Sequence, residues 1–471
     1  MLSTEPKKLI ETGAEYLLDA SSPNQSLLPL SAGVNEYDCL EIGGVDVTTL
    51  VAQFGSPLYI LDEYTLRTAC RQYRESFKTH YSGTSQVIYA SKALSCLAVA
   101  AVIASEDIGF DVVSAGELYT TITALEAMDK LEEFLGKIYF HGNNKSLEEL
   151  QFALETGCKI IVDNWLELED LVICARALGL RSVPILLRLT PGIECHTHEY
   201  IRTGHLDSKF GFDPHQLEAV FRYVREKTIL NCIGLHAHIG SQIFERQPHQ
   251  DLGGVMVDWL QKAQDYGLKI EELNIGGGLG ICYTEADDPP SIEEWVRAVA
   301  QSVEKACQIK GLALPKLIAE PGRSLIGSAC VTAYQVGSRK EIPNGRTYIA
   351  VDGGMSDNPR PITYQSVYRA VLANQMSEPC TETVTLAGKH CESGDILIKD
   401  AQLPPTQRGD IVVVMATGAY NYSMASNYNR LPRPGAVMVN EGEANLILQR
   451  ESYQDLIRQD RLPARLLNPN S

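Results

Sequence analysis

The chain has no Cys-x-x-Cys pair, and its 12 cysteines fall at no regular spacing. A disulfide framework and a structural zinc site are therefore not expected, and a reducing compartment, the cytoplasm, suits the thiols. No uninterrupted apolar stretch reaches the roughly 18 to 20 residues that cross a bilayer. Glu5, Lys7, Lys8, Glu11 and Glu15 break up the opening segment, so no secretory leader is expected. Positive charge is short as well. Against 59 Asp and Glu stand only 41 Lys and Arg, a formal charge of -18. That balance argues against nucleic acid or an anionic membrane as the main partner, while leaving room for a local basic pocket. What remains is a globular composition, 44% hydrophobic and 21% charged, in a chain of 471 residues. Such a length exceeds one ordinary core and predicts two domains.

Residues 1–40 are polar and punctuated by Ser21-Ser22-Pro23-Asn24, and read as a peripheral arm. Pro57 to Leu61 reads as a strand. Leu66, Ala69, Cys70, Tyr73 and Phe77 then mark one face of a helix. From residue 85 a repeating pattern begins. Short apolar runs recur at 85–91, 109–113, 137–141, 159–163, 183–189, 231–238, 270–275 and 315–319, with helical patterns between most of them. Ser114 with Glu117, Ser146 with Glu149 and Ser291 with Glu294 match the capping box, and Asp213-Pro214 offers another helix start. Strands alternating with helices mean a parallel sheet, and eight such units have the size of a (β/α)8 barrel. Beyond Pro321 the runs are strand-like, at 331–337, 347–351, 383–387, 395–399, 411–415 and 436–439. These predict an all-β second domain, followed by a helical stretch from Glu451 to Arg461. The strand at 57–61 is a ninth candidate. It either opens the barrel or pairs with the distant β-domain.

Barrel active sites lie at the C-terminal ends of the strands. Here those ends are polar: Lys92, Asp111 with Ser114, His141, Asn164, Arg188, then His236, His238 and Ser241, then Gly276-Gly277-Gly278, then Glu320-Pro321-Gly322-Arg323. Lys92 alone reads as a surface lysine closing a strand. Apolar walls there would instead desolvate its amine, lower its pKa and make it nucleophilic. Free amides at Gly276–Gly280, with Gly322 and Arg323 at the next strand end, form an anion cradle late in the barrel. Glu320 suits a carboxylate facing a heteroaromatic nitrogen, or a buried acid paired with an arginine. One of His236 and His238 could stack on a flat ring. The rival reading is a metal-dependent hydrolase built on His236-x-His238 with His141 and Asp111. It leaves the cradle and the lysine unexplained, and no metal is expected. His196-x-His198 lies in a loop that also carries Arg202 and Lys209, which disfavours a second metal site. Lysine, phosphate cradle, ring stacker and ring-nitrogen carboxylate together point to pyridoxal 5'-phosphate.

At this point the motifs resemble the diaminopimelate decarboxylase family, within the alanine-racemase-like, fold-type III class of pyridoxal phosphate enzymes. The matching strings are YASKA (89–93), DVVSAGEL (111–118), HTHEYIRTGHLDSKFGF (196–212), HAHIGSQI (236–243), NIGGGLG (274–280), EPGR (320–323), MSDNPRP (355–361), GKHCESGD (388–395) and TGAYNYSMASNYN (417–429). They span about residues 55–430, with no departure at a motif position. The resemblance implies decarboxylation of meso-2,6-diaminopimelate to L-lysine. It gives Lys92, His238 and Cys391 catalytic roles, with Cys391 as proton donor. Lys92, Asp111, His238, Ser241, Gly277, Gly278, Glu320, Gly322, Arg323 and Tyr420 would hold the cofactor. Arg323, Arg360, Tyr364, Glu392 and Tyr420 would meet the substrate. It further implies a homodimer whose Cys-Glu-Ser-Gly-Asp residues enter the neighbouring site, and it places the 57–61 strand in the β-domain. The expected division is 1–64, 65–322 and 323–471. A decarboxylase of ornithine, arginine or a carboxylated polyamine is the alternative. A basic substrate end, however, would want an acid where Arg360 stands. A cofactor carrier without activity would be expected to lack Lys92 or Cys391.

Overall fold

A computed structural model describes residues 10–17, 21–193 and 208–467. Eight parallel strands close into a barrel: Ser85–Ala90, Gly109–Val112, Ile138–Phe140, Lys159–Val162, Val183–Arg188, Leu230–His236, Glu272–Asn274 and Lys316–Ala319. Each apolar run from residue 85 to 319 thus becomes one barrel strand. Alternation decides which side chain faces where. Ile88 joins Tyr139, Ile161, Leu186 and Ile318 in one small buried cluster. Its neighbours Val87 and Tyr89 belong to the larger core shared with the surrounding helices.

The strand Leu58–Asp62 is not part of the barrel. It pairs antiparallel with Cys330–Glu341 and parallel with Gly435–Asn440, near the middle of a nine-stranded mixed sheet. Asp62 then caps the first barrel helix, Glu63–His80, accepting from Thr65 N–H. The chain therefore starts in the second domain and crosses once into the barrel. That domain also holds two strands the periodicity did not mark, Ala370–Leu372 and Glu443–Leu448. It carries a short helix, Arg360–Tyr364, so it is not purely β. The expected helix at 451–461 shrinks to Tyr453–Ile457, with Ala464–Leu467 beyond it.

Capping boxes form at Ser146 and Ser291. At Ser114 only half forms, because the Glu117 carboxylate accepts from Val113 N–H instead. Asp213-Pro214 makes a turn, and the helix begins later, at Leu217. The reading of residues 1–40 as peripheral also needs correcting. Ser22, Asn24 and Ser26 are buried, and Leu27, Leu28, Leu40 and Ile42 pack in a core with Leu58, Val331 and Val437. Within its described part, Ser22 and Asn24 are polar because they bond to distant loops, not because they face water. The His196-x-His198 pair and Arg202 lie outside the described residues. No helix among the described residues is long and apolar enough to cross a membrane.

Candidate active site

Lys92 sits in the turn Ser91–Ala93, directly after the first barrel strand. Its Nζ donates to Asp111 Oδ2, at the end of the next strand, at 2.6 Å. The ammonium projects into the mouth, and 43% of the side chain is accessible. Burial pulls its pKa down, but Asp111, Tyr420 and Glu320 outweigh burial and the pKa lies above the ordinary lysine value. This reverses the expectation of a lowered pKa. Without a cofactor, Lys92 is a paired ammonium and not a free amine.

Glu320 follows the last barrel strand and is 7% exposed. No arginine among the described residues pairs with it. Oε1 accepts from His141 Nε2 at 2.9 Å and from Asn274 Nδ2 at 2.6 Å. Oε2 accepts from His236 Nε2 at 3.2 Å. Burial alone would raise its pKa, yet the two imidazoles hold the carboxyl well below its usual range. A carboxylate has about four acceptor positions, and three are filled. One therefore remains for a further N–H. Nitrogens of His141 and His236 and one oxygen of Glu320 lie within 4.8 Å of one another, a spacing that a metal ion could use. Here each of those nitrogens already donates to the carboxylate.

His238 Nδ1 accepts from Gly277 N–H at 3.2 Å, which puts any ring proton on Nε2. Burial, with help from Lys92 and Arg188, drives its pKa far down and keeps it neutral. The cradle is shaped by close approach. A Cβ on Gly277 would run into the Glu320 carbonyl oxygen. Gly278 has φ +119, and a Cβ there would lie 2.8 Å from the Gly240 carbonyl. Beside it, Arg323 donates to Ser241 Oγ through Nε at 3.4 Å and Nη2 at 3.2 Å, and to Tyr283 through Nη1.

The second domain closes the mouth. Tyr420, at φ 66, donates its backbone N–H to Ala93 O at 2.8 Å, so it is held against the Lys92 turn. Arg323 lies over its ring at 4.8 Å and Arg360 at 5.7 Å. Arg360 also lies over Tyr364, at 5.0 Å. Both guanidinium groups are buried. Among the described residues neither has a carboxylate within ion-pair distance. Arg360 Nε is also left without a partner.

Lys92, Asp111, His238, Ser241, Gly277, Gly278, Glu320, Gly322, Arg323, Tyr420, Arg360 and Tyr364 thus gather at one mouth. Cys391 and Glu392 do not join them through any such contact. Both are exposed; Cys391 N–H donates to Asn429 Oδ1 at 2.9 Å, and Glu392 Oε1 accepts from Gly394 N–H at 3.4 Å. The sequence places His141 and His236 at the mouth, but it does not foresee their role, together with Asn274, as hydrogen-bond support of Glu320. The signal for that role was a polar residue closing an otherwise apolar strand. Tyr283, which orients Arg323, carried no signal.

A barrel mouth of this kind defines a class. The family model for the pyridoxal binding domain of pyridoxal-dependent decarboxylases matches residues 64–327. Similarity to a diaminopimelate decarboxylase of Synechocystis is 68% identity over 471 residues, 99% of this chain and all of the relative. The Bacillus subtilis diaminopimelate decarboxylase is 45% identical over 90% of this chain and 96% of its own. A crystal structure of the M. jannaschii diaminopimelate decarboxylase with L-lysine superposes with a TM-score of 0.85 at 32% identity, covering 93% of this chain and 99% of the other. The chain belongs to the diaminopimelate decarboxylase family.

Proposed function

We propose that this chain removes one carboxylate from meso-2,6-diaminopimelate, releasing carbon dioxide and L-lysine, with pyridoxal 5'-phosphate as cofactor. The observation that carries the reading is the pair of buried guanidinium groups, Arg323 and Arg360, without carboxylate partners among the described residues. One suits a phosphate and the other a substrate carboxylate.

The residues fit the cofactor. At Gly277, Gly278 and Gly322 the chain packs so closely on Glu320 O, Gly240 O and Ala90 Cβ that no side chain fits, and this bare backbone would form the phosphate cradle. Ser241 and Arg323 stand beside them. Glu320 keeps one acceptor position for a ring N–H, and the neutral His238 can lie against a flat ring. Bound there, the cofactor draws electrons from the substrate α-carbon, so that a carboxylate can leave as carbon dioxide. Lys92 would hold it covalently, with Asp111 beside its amine. Glu320, held as an anion by His141 and His236, would favour a protonated ring nitrogen. Tyr420 lies between the two arginines and would touch both ligands.

Diaminopimelate keeps an ammonium and a carboxylate at its far end. Arg360, with Tyr364, would take that carboxylate, and Glu392 the ammonium. Cys391 would give a proton to the carbon that has lost its carboxylate. Cys391 and Glu392 would act in the site of a second copy, in a homodimer, which accounts for their exposure in one chain. The same reading takes residues 65–322 as the cofactor-binding barrel, 1–64 as the segment that packs with the β-domain, and 323–471 as that domain. The eleven described cysteines are all free thiols, which fits a cytoplasmic protein.

Carbon dioxide release from diaminopimelate, lysine and ornithine tests the substrate. Wild type should act on diaminopimelate and almost not at all on the other two. A site built around buried charge rejects an analogue that leaves one unpaired, by roughly 10^4-fold in strong cases. Arg360→Ala should lose most activity while keeping its yellow cofactor. Arg360→Lys should rescue little, since an ammonium does not reproduce the planar fork. Equal turnover of ornithine, or an unimpaired Arg360→Ala, would sink the substrate assignment.

A further inference from the structure

We infer that residues Ser22–Ser26 form a strap that holds the phosphate cradle in shape, with Asn24 as its positioning residue. The inference rests on the reading of Gly276–Gly280 as the cofactor's phosphate site and extends it to a segment distant in sequence.

Asn24 is a polar residue with 0% exposure. Both of its amide donors are used on loop carbonyls. Nδ2 donates to Gly280 O at 3.1 Å and to Pro290 O at 2.9 Å. Its own backbone carbonyl accepts from Cys282 N–H at 2.9 Å. Ser22 Oγ lies 2.7 Å from Asn24 Oδ1 and accepts from Ile292 N–H at 3.2 Å. Gln25 Nε2 donates to Pro289 O at 3.0 Å. The strap therefore spans the whole loop from the last cradle glycine to the start of the helix Ile292–Lys310. It also reaches the neighbouring strand end. Ser328, just past the helix Arg323–Ile326, donates to Pro23 O at 2.6 Å.

From the other side the same loop is gripped by Gln242. Its Nε2 donates to Ile281 O at 2.7 Å, and its Oε1 accepts from Ile281 N–H at 3.1 Å. Gly280, Ile281 and Cys282 are thus clamped between Gln242 and Asn24. The next residue is Tyr283, whose hydroxyl takes a hydrogen bond from Arg323 Nη1. A shift of the clamped residues would move the cradle amides on one side and the Arg323 guanidinium on the other. Glycines cannot resist such a shift, because their backbone is the least restricted of any residue. The start of the run is held by the barrel, where Gly276 N–H donates to Asn274 Oδ1, Gly277 N–H to His238 Nδ1 and Gly280 N–H to Ile243 O, so these amides are not the free ones expected. Its far end is fixed from outside by two side-chain amides, Asn24 and Gln242. Replacing Asn24 by alanine leaves two carbonyls of that loop without their donor, a costly state for buried groups.

The test compares cofactor forms with and without phosphate. The dissociation constants of pyridoxal 5'-phosphate and of pyridoxal are measured by absorbance on resolved enzyme for wild type, Asn24→Ala and the milder Ser22→Ala. Wild type should prefer the phosphorylated form strongly. Asn24→Ala should weaken pyridoxal 5'-phosphate by about tenfold and Ser22→Ala by about threefold, the scale of a lost buried hydrogen bond. Pyridoxal binding should stay within about twofold in both, because the barrel groups around Lys92 and Glu320 are untouched. If both cofactor forms weaken by the same factor, or neither weakens, the strap has no specific hold on the cradle and the inference falls. If Asn24→Ala fails to fold, Ser22→Ala decides by the same comparison. If wild type itself binds pyridoxal as tightly as its phosphate, the cradle reading is what fails.

Discussion

Glu320 and His238 are buried ionisable groups kept in opposite charge states by their neighbours. Glu320 is surrounded by N–H donors and stays an anion. His238 accepts a backbone N–H, faces the Lys92 ammonium and stays neutral. Replacing Glu320 by Gln should leave the cofactor bound but cut decarboxylation by roughly 10^2-fold or more, since a preorganised charge is lost. Absorbance and single-turnover carbon dioxide release separate the two effects. Lys92→Ala should give a colourless or weakly binding protein without turnover. If borohydride still fixes the cofactor to that variant and activity is normal, Lys92 is not the attachment point. A third residue-scale prediction concerns stability. His236 and His249 are buried, and burial drives their pKa values down to about 4 and about 3. Between those values and the ordinary 6.5 the unfolded chain binds protons that these rings refuse. Stability is therefore full above pH 6.5 and falls as the pH drops through the window. Among the described residues His249 has no hydrogen-bond partner, and it packs edge-on against Trp295, with ring centroids 5.3 Å apart. His249→Phe should match wild type at pH 7.5 and gain on it below pH 6.5, by up to about 1.4 kcal/mol per pH unit. Melting temperatures across pH 4 to 8 would test this; parallel curves would refute it.

Elements position these groups because the C-terminal ends of the parallel strands, and the first residues after them, converge on one mouth. The glycine run after Glu272–Asn274 works differently, through backbone. Gly277→Ala would force a methyl group into the Glu320 carbonyl. The variant should lose about 1 to 3 kcal/mol of stability from overpacking. It should also bind pyridoxal 5'-phosphate far more weakly, which equilibrium dialysis would measure. Periodicity located all eight barrel strands, because alternating and continuous apolar runs reflect burial directly. It missed Ala370–Leu372 and Glu443–Leu448. The first is three residues long, and the second is mostly exposed, so neither carries a burial pattern. The polar opening segment was misjudged for a related reason. Burial of Ser22 and Asn24 rests on hydrogen bonds to carbonyls about 256 residues or more away, and composition carries no trace of that.

On the scale of the whole molecule, two domains share one site. The chain crosses between them at Asp62 and again near Ser328, and Tyr420 docks back onto the Lys92 turn. Cys391 and Glu392 remain outside this arrangement in a single chain. Mixing inactive Lys92→Ala with inactive Cys391→Ala should therefore restore activity, to about a quarter of wild type for random pairing of a two-fold dimer. Subunit exchange is confirmed by differential tagging. Exchange without recovery would place both residues in one chain's own site.

The barrel, its polar strand ends and the identity of the lysine, carboxylate and glycines follow from the sequence, because each is a local property. Alternation sets a strand, and its C-terminal end, with the first residues after it, lies at the mouth. Pairing needed the tertiary structure. Apolar periodicity left Leu58–Asp62 open between barrel and β-domain, the family resemblance placed it in the β-domain, and the structure pairs it there with strands some 270 and 375 residues distant. Only in the tertiary structure is Glu320 found among histidines and not against an arginine, and Lys92 raised by Asp111 where desolvation alone would lower it. The physical reason is common to all three. Hydrogen bonds and charge interactions act over a few ångströms of space, and distance along the chain does not report them.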